Sequence, residues 1–389
     1  MLNRTATGSR SVSRPEDRAG AILTVDLAAV VENWWILKRR ARPGCDVGAV
    51  VKADAYGLGL EQVATALKLA GCNTFYVAHL DGAITLRQIL GPGPRIACLN
   101  GPNKGTERDH VALRIMPVLS TPEHIKAWQT YALKEDVLME SIVQVDTGMN
   151  RLGLSEKEFN ALLTDPDGFL GLHPQMLMSH LACADDPQHP LNKTQLERFR
   201  AMIGAFRTRF PDSKGSLANS AGVLLGQDWQ FEYARPGVAL YGVNPTQSGA
   251  QTMLPVVNLK ARIIQVRPVD TPGHVGYGAA SSVRQGAKIA TVSMGYADGY
   301  LRSLGSSGFG ILDGIKVPVL GRVSMDLTTF DVSNVPDSAT IPGGFIDIIS
   351  HAVTVDDVAR AAGTIGYEIL TALGNRFHRR YLPAPVARA

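Results

Sequence analysis

Lys52 closes the apolar run Ala49-Val50-Val51 and is followed by Ala53-Asp54-Ala55-Tyr56-Gly57. Lysine is costly to bury, so a lysine ending a buried strand either snorkels to a surface or is held in a site. Held in an apolar site, its pKa falls and it becomes a nucleophile or a base. Four other segments place a polar or charged group beside a short apolar run. Arg151 lies in Asp146-Thr147-Gly148-Met149-Asn150-Arg151-Leu152-Gly153, and His180 follows 175–179. Asn219 and Ser220 follow 216–218, and Arg235-Pro236-Gly237 precedes Val238, Ala239 and Leu240. Each alone has a plainer reading: a surface lysine, a turn charge, a hydrogen-bonded core histidine, ordinary turn residues, a solvated loop arginine. Their recurrence at the same end of successive units favours one site.

The elements that must position them read as alternating strands and helices. Strands are predicted over 46–51, 75–78, 95–99, 115–119, 141–145 and 175–179, and helices over 60–70, 81–90, from Pro122 and over 191–206. Thr121 serves as N-cap before Pro122. Repeated βα units imply a parallel sheet, and this many within the first 250 residues predict an α/β TIM barrel. After about residue 250 the pattern changes to short strands over 256–266, 288–292, 309–312, 316–320 and 327–332, with a hairpin turn at Asp313-Gly314 and one short helix over 354–362. The expected organisation is therefore a disordered extension over 1–20, a TIM-barrel N-terminal domain over 21–250, and a C-terminal mostly-β domain over 251–389.

Lysine, hydroxyl, backbone N–H groups, imidazole and arginine together supply what pyridoxal 5'-phosphate needs. The lysine forms a Schiff base, the hydroxyl and N–H groups hold phosphate, and the imidazole packs on the ring. An arginine stays protonated, so at the pyridine nitrogen it donates and leaves that nitrogen unprotonated. This weakens the electron sink and discourages transamination.

The chain resembles the alanine racemases, fold-type III pyridoxal-phosphate enzymes, from about residue 22 to 382. The segments that carry the resemblance are 50–57, 146–153, Ser179-His180-Leu181-Ala182-Cys183-Ala184-Asp185, Asn219-Ser220, 235–242, 275–278, 295–299, 321–326 and 363–368. The resemblance implies that Lys52 carries the cofactor covalently and that Tyr56, Ser220, the backbone at Gly237 and Val238, and Tyr367 hold its phosphate, beside Asn219. It implies that His180 packs at the ring, Arg235 meets the pyridine nitrogen, and Arg151 contacts the phenolic oxygen and the substrate carboxylate. Tyr277 would be the second catalytic base, contributed by the partner subunit of a homodimer, with Tyr296 and Met325 completing the pocket. Asp185, Arg302, Arg322 and Ile365 match residues of an entrance corridor. Without the resemblance, Tyr277 and Tyr296 read as half-buried packing aromatics.

The chain departs from the family pattern at four positions. Gln144 stands where many members have a carbamylated lysine. Asn150 replaces a common glycine, Leu58 a common histidine, and Ser324 a common cysteine. The implied reaction is interconversion of L- and D-alanine, supplying D-alanine for peptidoglycan. A broad-specificity or serine racemase on the same scaffold is the alternative, kept open by Gln144. A decarboxylase is disfavoured by the 146–149 and 276–278 segments, and a non-enzymatic cofactor carrier by the second domain with Tyr277.

Composition sets the outer bounds. The 389 residues are 45% hydrophobic and 19% charged, an ordinary soluble balance. The net charge of +4 resides in the termini: four arginines against Glu16 and Asp17 within 1–20, and Arg376, Arg379, Arg380 and Arg388 at the end. The body is slightly acidic, which excludes a basic nucleic-acid domain. No apolar run reaches the ~18 residues of a membrane span, and the polar start lacks a secretory stretch. Cys45, Cys72, Cys98 and Cys183 lie far apart, so neither a disulfide framework nor a metal site is expected, and a cytoplasmic location is.

Overall fold

The computed structural model describes residues 13–246 and 253–384. The chain divides into two compact units: one of Asp26–Val256 with Gly366–Thr371 and Tyr381–Ala389, the other of Met1–Val25, Val257–Ile365 and Ala372–Arg380.

The first unit is a closed parallel barrel. Strands Ala49–Val50, Thr74–Val77, Arg95–Cys98, Ile115–Leu119, Met139–Gln144, Leu172–Met178 and Lys214–Ser216 pair in sequence order. Tyr233–Ala234 completes the ring by pairing with Asp46–Val47. On its other side the Glu232 N–H donates to the Gly215 carbonyl at 3.1 Å and the Arg235 N–H to the Ala218 carbonyl at 2.9 Å. Because every strand is parallel, all the C-terminal ends open at one mouth, where barrel enzymes carry their chemistry. Strands such as Thr74–Val77 and Ile115–Leu119 are buried throughout and read as nearly continuous apolar runs. Outer helices start where side chains satisfy their first N–H groups. Asp26 caps Leu27–Arg40, Thr121 caps Pro122–Glu135, and Ser155 with Glu158 forms a capping box on Glu156–Thr164. Trp128, Phe159, Phe199 and Phe206 are wholly buried in one cluster with strand residues such as Val143 and Leu177. Burying such a side chain stabilises by about 1.5–3 kcal/mol.

The second unit is built on an eight-stranded sheet. Its long strand Val257–Pro268 pairs antiparallel with Ala21–Asp26, Lys288–Val292 and Phe345–Ile349. Asp313 and Gly314, with φ of 53° and 75°, join Phe309–Leu312 to Ile315–Leu320 through the expected two-residue hairpin, the turn that needs positive φ at both positions.

Three boundaries differ from the sequence reading. Residues 21–25, counted with the barrel domain, fall in the second unit: they form strand Ala21–Asp26, which pairs in the second sheet with Leu23 and Val25 fully buried. The expected disordered extension lies outside the described residues as far as 12, but Pro15–Arg18 is a helical turn. Arg262 ties that turn down, donating to the Ala19 carbonyl at 2.9 Å and the Glu16 carbonyl at 3.0 Å. Finally, Gly366–Thr371 returns to the barrel unit rather than staying with the β domain.

Candidate active site

Five of the sequence-picked groups stand at the C-terminal mouth of the barrel, each just past a strand. Arg235 is 4% exposed and held by several hydrogen bonds. Its guanidinium donates to the Ser216 hydroxyl, to the Ser179 carbonyl at 2.6 Å and toward His180 Nδ1 at 3.4 Å. Burial lowers its pKa to about 10, so it remains a cation at neutral pH. His180 is half-buried. Burial, then the positive charges of Arg235, Arg151 and Lys52, push its pKa down to about 3, so it is a neutral imidazole. Lys52 is exposed at the mouth, and partial desolvation, then the charge of Arg151, lowers its pKa, which raises the population of free amine.

The Ser220 hydroxyl accepts from the Gly237 N–H at 2.8 Å and the Ala239 N–H at 3.3 Å. Asn219 caps the short helix Ser220–Leu224, its oxygen accepting from the Gly222 N–H at 2.8 Å, and so places Ser220. A methyl group at Gly237 would run into the Tyr56 hydroxyl, so the missing side chain lets that hydroxyl approach the backbone. Val238 opens the 3-10 turn Val238–Tyr241. The Tyr56 ring lies 4.6 Å from that of Tyr241 and 6.2 Å from that of Tyr367.

Tyr277, Tyr296 and Met325 lie in the second unit and are 73%, 42% and 54% exposed, high values for large, mainly apolar side chains. Tyr277 sits on a turn flanked by Gly276 and Gly278, both with positive φ, that leans on Arg322. The Ser281 hydroxyl tethers it by accepting from the Gly321 N–H at 2.8 Å. The Tyr296 and Ala297 N–H groups donate to the Ser324 and Met325 carbonyls, both at 3.0 Å, which brings Tyr296 beside Met325. The buried Asp298 carboxylate accepts from the Gly295 N–H at 2.8 Å and pairs with Arg376 at 2.8 Å, fixing the turn. Of the expected corridor residues, Asp185 is on the barrel unit and Arg302, Arg322 and Ile365 are on the second.

The chain matches the family Alanine racemase, N-terminal domain over residues 25–245 and Alanine racemase, C-terminal domain over 256–381. It is 48% identical over 366 residues to the alanine racemase of Rhodospirillum rubrum, covering 94% of this chain and 97% of that protein. The chain belongs to the alanine racemase family. A catabolic alanine racemase of Mesorhizobium japonicum is 43% identical over 94% of both chains. The crystal structure of alanine racemase from Bartonella henselae with covalently bound pyridoxal phosphate superposes with a TM-score of 0.89 at 37% identity, covering 94% of this chain and all of that one.

Like other alanine racemases, this chain is an isomerase. Its barrel mouth fits pyridoxal phosphate on its own geometry. The Gly237 and Ala239 N–H groups both meet the Ser220 hydroxyl, with the Tyr56 hydroxyl against Gly237, so several donors cluster where an anion would be held. A neutral imidazole and an immobilised arginine stand where they could flank the ring, and a lysine of lowered pKa could supply the amine.

Three structural partners escape sequence reasoning. Tyr241 packs on Tyr56 and donates to the Val50 carbonyl at 2.9 Å, although it lies inside the 235–242 motif that could have flagged it. Ser216 anchors Arg235 from an adjacent strand. The third feature is the backbone after Lys52, where Ala53, Asp54, Ala55 and Tyr56 are all left-handed, with φ between 52° and 56°. For L-residues this costs about 1–2 kcal/mol each. The burial of Ala55 and Tyr56 offsets it, as does Asp54, which accepts from the Leu60 N–H at 2.7 Å through its side chain and from the Gly59 N–H at 2.9 Å through its carbonyl. Ala53 is exposed, so Ala53→Gly loses little packing. Relief of the left-handed strain outweighs the extra freedom of glycine in the unfolded chain, for an expected net gain of about 0.5–1 kcal/mol. A shift of the urea midpoint to higher concentration at unchanged slope checks this.

Proposed function

We propose that this protein interconverts L-alanine and D-alanine with pyridoxal phosphate bound through Lys52, using Lys52 and Tyr277 as bases on opposite faces of the substrate. The observation that carries the reading is the single constellation at the barrel mouth: Lys52 of lowered pKa, neutral His180, immobilised Arg235 and the Gly237–Ser220–Tyr56 cradle. Ser220, Tyr56, Tyr367 and the backbone at Gly237 and Val238 would hold the phosphate, and Asn219 places Ser220. When bound, the cofactor supplies a sink for the charge left as the α-proton departs. Arg235 keeps that sink moderate, because a permanently protonated donor at the ring nitrogen withholds a second proton. Arg151 holds the substrate carboxylate. Lys52 Nζ takes or returns the proton on the D face, and Tyr277 Oη does so on the L face. Tyr296 and Met325 bound a small pocket.

Tyr277 belongs to a different unit from Lys52, and its exposure in a single chain supports a homodimer in which each site borrows Tyr277 from the partner. The four free cysteines fit a reducing compartment such as the cytoplasm. Enantiomers have equal free energies in water, so the same site makes D-alanine for the cell wall or consumes it, according to supply. Circular dichroism of L-alanine incubated with the holoenzyme tests the activity, and an optical signal that does not decay to zero overturns it. Rates across L-Ala, L-Ser, L-Lys and L-Arg separate an alanine enzyme from a broad racemase.

Gln144 bears on both readings. It is 7% exposed, and its amide donates to the Leu152 carbonyl at 3.1 Å, next to Arg151. A neutral carboxamide thus holds the arginine-bearing loop by its backbone, with no amine to carbamylate. The turnover rate is expected to be the same in degassed buffer and with added bicarbonate at constant pH. A bicarbonate-dependent rise contradicts this role of Gln144.

A further inference from the structure

We infer that Gln195 is a positioning residue that locks the Arg151 loop to the His180 loop; this rests on the reading of Arg151 and His180 above. Gln195 lies on helix Pro190–Arg209, behind the mouth of the barrel, and is fully buried. Its oxygen accepts from the Ala182 N–H at 2.9 Å. Its nitrogen donates to the His180 carbonyl at 2.9 Å and to the Thr147 hydroxyl at 3.2 Å. Both N–H donors of the carboxamide are therefore used, together with its oxygen. Thr147 in turn shares a 2.8 Å hydrogen bond with the Ser179 hydroxyl, and its carbonyl accepts from Arg198 at 3.3 Å, one turn along the same helix. Thr147 and Ser179 are 0% and 1% exposed, so water does not compete for these bonds.

The consequence is geometric. Thr147 follows Asp146, whose carboxylate accepts from the Gly148, Met149 and Asn150 N–H groups at 2.8–2.9 Å. The loop from Asp146 to Asn150 thus moves as one piece and carries Arg151 with it. Gly148 comes close to the same helix, where an added Cβ would meet Leu191 at 3.3 Å and the Gln195 side chain at 3.6 Å. One buried carboxamide therefore sets the distance between the group that grips the substrate carboxylate and the imidazole at the ring. Glutamate cannot replace it, since a carboxylate has no donor for the His180 carbonyl.

The test compares Gln195→Met, which keeps length but loses all three bonds, with Thr147→Val and the double variant in the holoenzyme. A misplacement of about 1 Å costs up to about 100-fold, so Gln195→Met is expected to raise KM for alanine and lower kcat together, with kcat/KM falling about 10- to 100-fold while one cofactor per chain is retained. Thr147→Val is expected to fall in the same direction, and the double variant to be no worse than Gln195→Met. A merely structural role lowers the thermal midpoint and leaves kcat and KM unchanged below it. Wild-type kinetics in folded Gln195→Met overturn the inference; where that variant does not fold, wild-type kinetics in Thr147→Val do. Lys52→Ala in the same assay isolates the parent reading: an active Lys52→Ala refutes the site, whereas an inactive one beside a normal Gln195→Met refutes only this inference.

Discussion

Lys52→Ala is expected to abolish racemisation and to leave the protein without covalently attached cofactor. One acid–base group contributes about 10²–10⁴-fold, and this substitution removes both a base and the attachment point, so the loss exceeds that range. The residue is suited to both tasks because partial desolvation and Arg151 lower its pKa. The sign is definite: a lowered pKa means that the released Lys52 amine becomes neutral at a lower pH than the ~10.4 of a free lysine, so the rise of kcat with pH is expected to be complete before that value is reached. Borohydride reduction of the wild-type holoenzyme followed by peptide mapping locates the attachment. A pyridoxyl group on any other lysine refutes the assignment.

Tyr277→Phe is expected to lower turnover by about 10²–10⁴-fold in both directions while cofactor stoichiometry is unchanged. The hydroxyl serves as base in one direction and donor in the other, and the ring alone does neither. The 73% exposure of Tyr277 leaves the turn free to be completed by another chain. Mixing Lys52→Ala and Tyr277→Phe proteins under exchanging conditions should then regenerate one intact site per heterodimer. Confirmed heterodimers without recovered activity would show that the site is not shared.

Much of the barrel was legible because each unit punctuates itself. Strand 115–119 and the Thr121-Pro122 helix start were read as they stand, since a run of buried aliphatics and a capping pair act locally. The helix Glu156–Thr164 was passed over although Ser155 and Glu158 spell its capping box, and Leu27–Arg40 was passed over although Val30, Val31, Trp34 and Leu37 carry a helical stripe. Strand Phe345–Ile349 was passed over although Pro342-Gly343-Gly344 marks its start, and its place is decided by pairing with the distant Val257–Pro268. Of the site, the residues in compact motifs were visible through family resemblance. The grip of Ser216 on Arg235 and of Gln195 on Thr147 was not, because each joins segments far apart in sequence. The left-handed turn after Lys52 had no signature, since four non-glycine residues adopt it only when buried neighbours compel them.

Strand Ala21–Asp26 has a consequence for biosynthesis. It leaves the ribosome ahead of the barrel, yet its partner Val257–Pro268 follows only after the barrel strands have been made. At about 5–20 residues per second, the wait is on the order of ten to fifty seconds. Throughout it Ile22, Leu23 and Val25, all buried in the finished sheet, have no native place to go. Two nascent chains on one message could exchange this strand and emerge joined as a swapped pair. The order of synthesis, as well as the strength of the final sheet, therefore bears on how this strand is protected until it pairs.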